Sequence, residues 1–94
     1  MKALTAAEIA DFLGEESLWM FAEGKLVREW RFTDFVEAMA FVNRVAAVGE
    51  DAGHHPDIDI RYNRVRLGLV THDAGGVTKR DADMAKRLSH EFSH

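Results

Sequence analysis

"GEDAGHHPDIDIRYNRVRLGLVT", residues 49–71, decides the fold. It opens as the end of a helix and continues as strands. Gly53 has no Cβ and suits the left-handed position just past a helix C-terminus. Pro56 has no amide proton to continue a helical ladder and pushes His55 toward extended backbone. Beyond it, "DIDIRY" and "VRLGLVT" alternate apolar and polar residues with the period of strands. Ile58, Ile60 and Tyr62 share one face, as do Val65, Leu67 and Leu69. A turn at Asn63-Arg64 is predicted to join them as an antiparallel hairpin.

The segment before it, "TDFVEAMAFVNRVAAVGEDAG" (33–53), reads as one long helix with Thr33 or Asp34 as N-cap. Phe35, Ala38, Met39, Val42, Val45, Ala46 and Gly49 form its apolar stripe, extended by Phe41 and Val48. At about 100° per residue the stripe spans half the circumference, more than one small sheet needs. It is either a broad core face or, on the side bearing Phe41 and Val48, a subunit contact. In "LWMFAEGKLVREWRF" (18–32), Glu23-Gly24 is a two-residue hairpin turn. Pairing across it sets Phe21 opposite Leu26 and Trp19 opposite Arg28. Trp19, Phe21, Leu26, Trp30 and Phe32 then form the core face. Arg28 is the odd member, to be stacked on Trp19 or extended to solvent.

At the start, "TAAEIADFLG" (5–14) opens with a Thr5/Glu8 capping box, buries Ile9, Phe12 and Leu13, and stops at Gly14. At the end, "HDAGG" is a loop. Thr78 caps a last helix, with Asp81 at the reciprocal position and Ala82, Ala85, Leu88 and Phe92 facing inward. The order is α-β-β-α-β-β-α. The expected fold is α+β: a single domain over residues 1–94, with a four-stranded antiparallel sheet and three helices packed on one face.

Composition narrows the function. Net charge is −4, which disfavours direct nucleic-acid binding through phosphate neutralisation. There is no cysteine, hence no disulfide and no thiolate chemistry. No segment reads as a signal peptide or a membrane span, so a cytoplasmic protein is expected.

His54 and His55 stand where the long helix hands over to a strand, and His72 follows the last strand. Antiparallel pairing of the two strands brings all three to one end of one hairpin. Three readings are open. The imidazoles cap carbonyls at the helix C-terminus. They hold a metal, although adjacent histidines diverge and no HxH, CxxC or HExxH pattern is present. Or they perform acid–base chemistry near neutral pH. With no nucleophilic Ser or Cys in a recognisable setting, proton transfer is the natural reaction class. His90 and His94, four apart on the last helix, read as solvated surface.

The spacing of Glu50, His54-His55-Pro56, Tyr62, His72 and Asp81 resembles the signature of the pterin-4a-carbinolamine dehydratases. No motif position is broken, and the motif covers about a third of the chain. The element order and the Trp-bearing first hairpin fit as well. The resemblance implies dehydration of 4a-hydroxytetrahydropterin, or 4a-hydroxytetrahydrobiopterin, to quinonoid dihydropterin in pterin recycling. The pterin is the substrate, and no cofactor or metal is required.

By resemblance His54, His55 and His72 line the pterin pocket. His54 and His72 take the acid and base roles in an order left open, and His55 holds the pterin. Glu50 orients His54. Asp81 either positions His72 or only caps its helix. Thr71 and Arg80 flank the pterin, and Pro56 and Tyr62 are architectural. The resemblance also implies a homodimer or homotetramer. A non-catalytic assembly partner or transcription coactivator on the same fold is the alternative.

Overall fold

The computed structural model describes residues 1–93. The elements follow the expected order: α1 (Ala6–Glu15), β1 (Met20–Ala22), β2 (Lys25–Arg31), α2 (Phe35–Ala52), β3 (Asp57–Arg61), β4 (Arg64–Leu69) and α3 (Lys79–Glu91). One turn of 3₁₀ helix, His72–Ala74, precedes α3. The four strands form one sheet in the order β1-β2-β4-β3. Its two hairpins are antiparallel, which is the α+β architecture anticipated. Among the described residues no helix is long and apolar enough to cross a membrane.

Packing divides the chain into two compact units, Met1–Val27 with the segment from Leu69 onward, and Arg28–Gly68. In the first, α1 starts at the Thr5/Glu8 capping box and runs through Gly14 to Glu15, one residue past the expected stop. Gly14 has helical backbone there, a cost of about 1 kcal/mol that its flanking turns absorb. The Glu23-Gly24 turn has both residues at positive φ, 55° and 77°, and sets Phe21 opposite Leu26 as expected. Leu26 is buried, but Phe21 is 47% exposed and does not join the core. It lies on a three-residue edge strand beside the turn, where its ring stands partly in solvent. Trp19 is buried and its indole N–H donates to Ser89 Oγ at 2.7 Å, tying the first hairpin to α3. Phe12, Val27, Leu69, Val77, Met84, Ala85, Leu88 and Phe92 are buried in the same unit.

In the second unit α2 is capped by Asp34, whose carboxylate accepts from the Glu37 amide at 2.9 Å. Its buried face is Ala38, Phe41, Val45, Val48 and Gly49. The stripe is therefore rotated from the expected centre. Phe41 and Val48 are core residues rather than a subunit contact, and Phe35 is 48% exposed. The rings explain the rotation: Phe41 lies 5.0 Å from both Trp30 and Phe32, tilted against each. Arg28 is buried with its guanidinium 4.1 Å from the Trp30 ring centroid. It stacks on its own strand's tryptophan rather than on Trp19, and does not reach solvent.

The second hairpin turns at Tyr62-Asn63, one residue earlier than expected, with Arg61 opposite Arg64. Asn63 decides this. Its side-chain amide donates to the Phe32 carbonyl at 2.9 Å, and its own carbonyl accepts from the Phe32 amide at 2.8 Å. Tyr62 is forced to φ 52° and its ring is 65% exposed, so it shapes the turn but packs no core. Val65, Leu67 and Leu69 are buried while Arg64 and Arg66 are exposed, the alternation of a sheet covered on one face.

Phe41→Ala should cost about 3–5 kcal/mol, because it opens a cavity between two rings. Phe35→Ala should cost less than about 1 kcal/mol at its half-exposed position. Urea unfolding of the two variants checks the orientation of α2, and equal losses would contradict it.

Candidate functional site

Apart from Tyr62 in the β3–β4 turn, the motif residues fall on two short segments, one in each unit. The first is the reversal after α2. Gly53 takes φ 65°, its amide donates to the Glu50 carbonyl at 3.3 Å, and the His54 amide donates to the Gly49 carbonyl at 3.1 Å. This double closure satisfies carbonyls that the helix end would leave orphaned. His54 is half-buried and His55 exposed. His55 Nε2 donates to Glu50 Oε2 at 2.7 Å, with both side chains largely in solvent. An exposed pair adds little stability, but it turns the Nε2 side of the His55 ring toward Glu50. Glu50 was expected to orient His54. It meets His55 instead, because Gly53 breaks the helical phase between them.

A residue absent from the sequence-derived site holds this segment in place. Gly49 lies under the reversal. A Cβ on it would stand 3.1 Å from Pro56 Cδ, 3.3 Å from the His54 carbonyl oxygen and 3.5 Å from His55 Cα. Pro56 is thus architectural through close packing on α2 as well as through its fixed φ. One signal was available: a glycine inside a helix costs about 1 kcal/mol against alanine and asks for a packing reason.

The second segment runs from Thr71 to Asp81. Asp81 is fully buried at the first turn of α3. One carboxylate oxygen accepts from the Thr78 amide at 2.8 Å and from the Thr71 hydroxyl at 2.8 Å. The Thr71 and Thr78 hydroxyls are 2.8 Å apart. As Thr71 gives its proton to the carboxylate, Thr78 donates to Thr71. Thr71 also pairs its backbone with Gly76, its amide donating to the Gly76 carbonyl at 3.0 Å. The loop carrying His72 is closed at its base, and Gly75 at φ 71° turns it back.

Asp81 therefore caps α3 and also anchors the residue before His72. The hydroxyl of Thr71 is consumed inside the protein, which leaves no proton on it for a ligand. His72 and Arg80 are exposed. His90 is exposed on α3, and His94 lies outside the described residues. Among the described residues no three His, Cys, Asp or Glu side chains converge as metal ligands.

Gly49→Leu should displace the His54–Pro56 segment. The expected readouts are a shift of the His54 and His55 imidazole resonances and a stability loss of about 1–3 kcal/mol, with Gly49→Ala much milder. Thr71→Val should leave Asp81 short of a donor in a buried site and cost about 1–3 kcal/mol. Thr71→Ser should restore most of it. Urea midpoints of the three Thr71 forms check this bracket.

Comparison with known proteins agrees with the motif. The family model of pterin 4 alpha carbinolamine dehydratase matches residues 2–90. A protein of Acidobacterium capsulatum that carries the family's name is 58% identical over 94% of this chain and 96% of its own. One of Chloroflexus aurantiacus is 53% identical over 94% of this chain and 95% of its own. A crystal structure from Brucella melitensis, described as a transcriptional coactivator/pterin dehydratase, superposes with a TM-score of 0.86 at 33% identity, covering 95% of this chain and 97% of that one. The chain belongs to the pterin-4a-carbinolamine dehydratase family.

Proposed function

We propose that this chain dehydrates a pterin-4a-carbinolamine to quinonoid dihydropterin, in the recycling of a tetrahydrobiopterin-like pterin. The observation that carries the reading is the fixed His54-His55-Pro56 segment, stapled to α2 by Gly49, Gly53 and the Glu50–His55 bond, in a chain of this family. The third histidine, His72, joins the reading through the spacing of the family motif.

The chemistry asks for one donor and one acceptor. The C4a–O bond breaks as the acid gives its proton to the departing hydroxyl, which leaves as water. The lone pair on the adjacent ring nitrogen forms the C=N bond, and that nitrogen's proton passes to the base. His54 and His72 are assigned these two roles. His55, oriented by Glu50, binds the pterin, and Arg80 flanks it. Asp81 and Thr71 position His72 from within the protein. Protons alone balance the step, so the reading calls on no cofactor or metal. The proposed working form is a cytoplasmic homodimer or homotetramer with a small-molecule pterin as ligand.

The description of the Brucella structure as a coactivator favours a second reading, an interaction module on this fold. Its surface would include the exposed Phe35 and Val36 rather than the buried Phe41 and Val48.

The test is decay of carbinolamine absorbance above the unaided rate. His54→Ala and His72→Ala should each lower kcat by about a hundredfold or more, the usual worth of a general acid or base. His55→Ala should chiefly raise KM. Undiminished acceleration in the His54 and His72 variants would overturn the reading. Partner capture lost only on Phe35 and Val36 substitution would favour the module.

A further inference from the structure

On the β3–β4 hairpin, Asp57, Asp59, Arg61, Arg64 and Arg66 alternate with Ile58, Ile60, Val65 and Leu67. The charged set is exposed. Pairing sets Asp59 directly opposite Arg66 and Arg61 directly opposite Arg64. The first rung is complementary. The second sets like charges face to face, which destabilises a sheet.

The neighbouring carboxylates do not cure this. Asp59, opposite Arg66 in the ladder, stands 3.6 Å from Arg61 Nε, so the nearest carboxylate on this face is turned to Arg61 and not to Arg64. Glu29 lies 3.9 Å from Arg31. The Arg64 guanidinium makes no hydrogen bond or ion pair with the described residues. Glu29, Asp59, Arg61, Arg64 and Arg66 line a hollow of about 230 Å³. Its floor is rigid, because the turn is pinned by Asn63 to Phe32 and the other face of β4 is buried at Val65 and Leu67.

We propose that this hollow binds one small phosphate-bearing anion between Arg61 and Arg64. Guanidinium forks match phosphate oxygens bidentately, and a dianion between two of them replaces their repulsion with charge-assisted hydrogen bonds. Glu29 and Asp59 limit the ligand. They repel a second anionic group, so a nucleic-acid strand does not fit where a single phosphate does. Inorganic phosphate and the phosphoryl group of a small organic monoester share this chemistry. None of the five residues enters the dehydration, so the site stands or falls independently of it.

Titration calorimetry at low, matched ionic strength tests it with inorganic phosphate and phenyl phosphate. At least one probe should bind saturably. Arg64→Ala and Arg61→Ala should each weaken it about tenfold or more, the worth of a lost charge-assisted contact. Asp59→Asn should tighten it. Binding by both probes points to the phosphate group alone, and binding by phenyl phosphate only points to an organic monoester. Binding by neither probe, equal binding by Arg64→Ala, or tighter Arg64-dependent binding of duplex DNA would overturn the proposal.

Discussion

Pro56 and the His54 carbonyl approach Gly49 so closely that a side chain there would have to push the end of α2 and the start of β3 apart. The placing of His54 and His55 depends on that contact. It brings the chain from helix to strand without a spacer, with the left-handed Gly53 and the His54–Gly49 backbone bond closing the helix end. Two histidines are left on the outside of a reversal whose inner side is fully packed. A longer connection would have carried them on a mobile loop. Here their backbone is tied to α2 by the Gly49 contact and the Gly53 closure, and the His55 ring is turned toward Glu50. Catalytic groups gain from such restraint, since a misplacement of about 1 Å can cost a hundredfold in rate.

The second segment reaches the same end by a different route. His72 is exposed, but the residue before it is buried and bound three ways: to the Asp81 carboxylate, to the Thr78 hydroxyl and, through its backbone, to Gly76. A carboxylate without solvent is costly unless its lone pairs are met. Asp81 meets that cost with the Thr78 amide and the Thr71 hydroxyl. The helix cap and the loop anchor are thus one interaction. Loss of the carboxylate frees the start of α3 and the base of the His72 loop together. The spacing from His72 to Asp81 is a requirement of geometry: the loop must leave Thr71, turn at Gly75 and return to Thr78.

Local signals of one cause were legible in the sequence. The Thr5 and Thr78 capping boxes, the Glu23-Gly24 turn, the Gly53 stop and the β4 alternation each need only neighbouring residues, and each stands as read. What failed depended on distant partners. The apolar sector of α2 was broad enough to permit several centres, and only the rings of Trp30 and Phe32 choose Phe41 over Phe35. The β3–β4 turn slid by one residue because Asn63 bonds to Phe32, thirty-one positions away. In the site the residue types and their spacing were readable, but the partner of Glu50, the burial of Thr71 and the role of Gly49 were not. Those follow from helix phase, from a hydroxyl network and from a missing methyl, none of which has a period.

The charges show the same limit from another side. A net charge of −4 describes the whole chain, yet the hairpin face carries arginines at three of the five positions around its hollow. The acidic total alone is a weak argument against nucleic acid, because a local basic stripe can override it. The alternation is a stronger one. A phosphate backbone laid along β3 and β4 would have to pass Asp59 beside Arg61 and Glu29 on the rim of the same hollow, losing at each acid what it gains at each base. The strained Tyr62 belongs to this account. A left-handed tyrosine persists only where its surroundings over-determine it, and here Asn63 holds the turn against that strain. The same bonds hold Arg61 and Arg64 opposed, so the repulsion of that rung is built into the hairpin and cannot be relaxed by moving the turn.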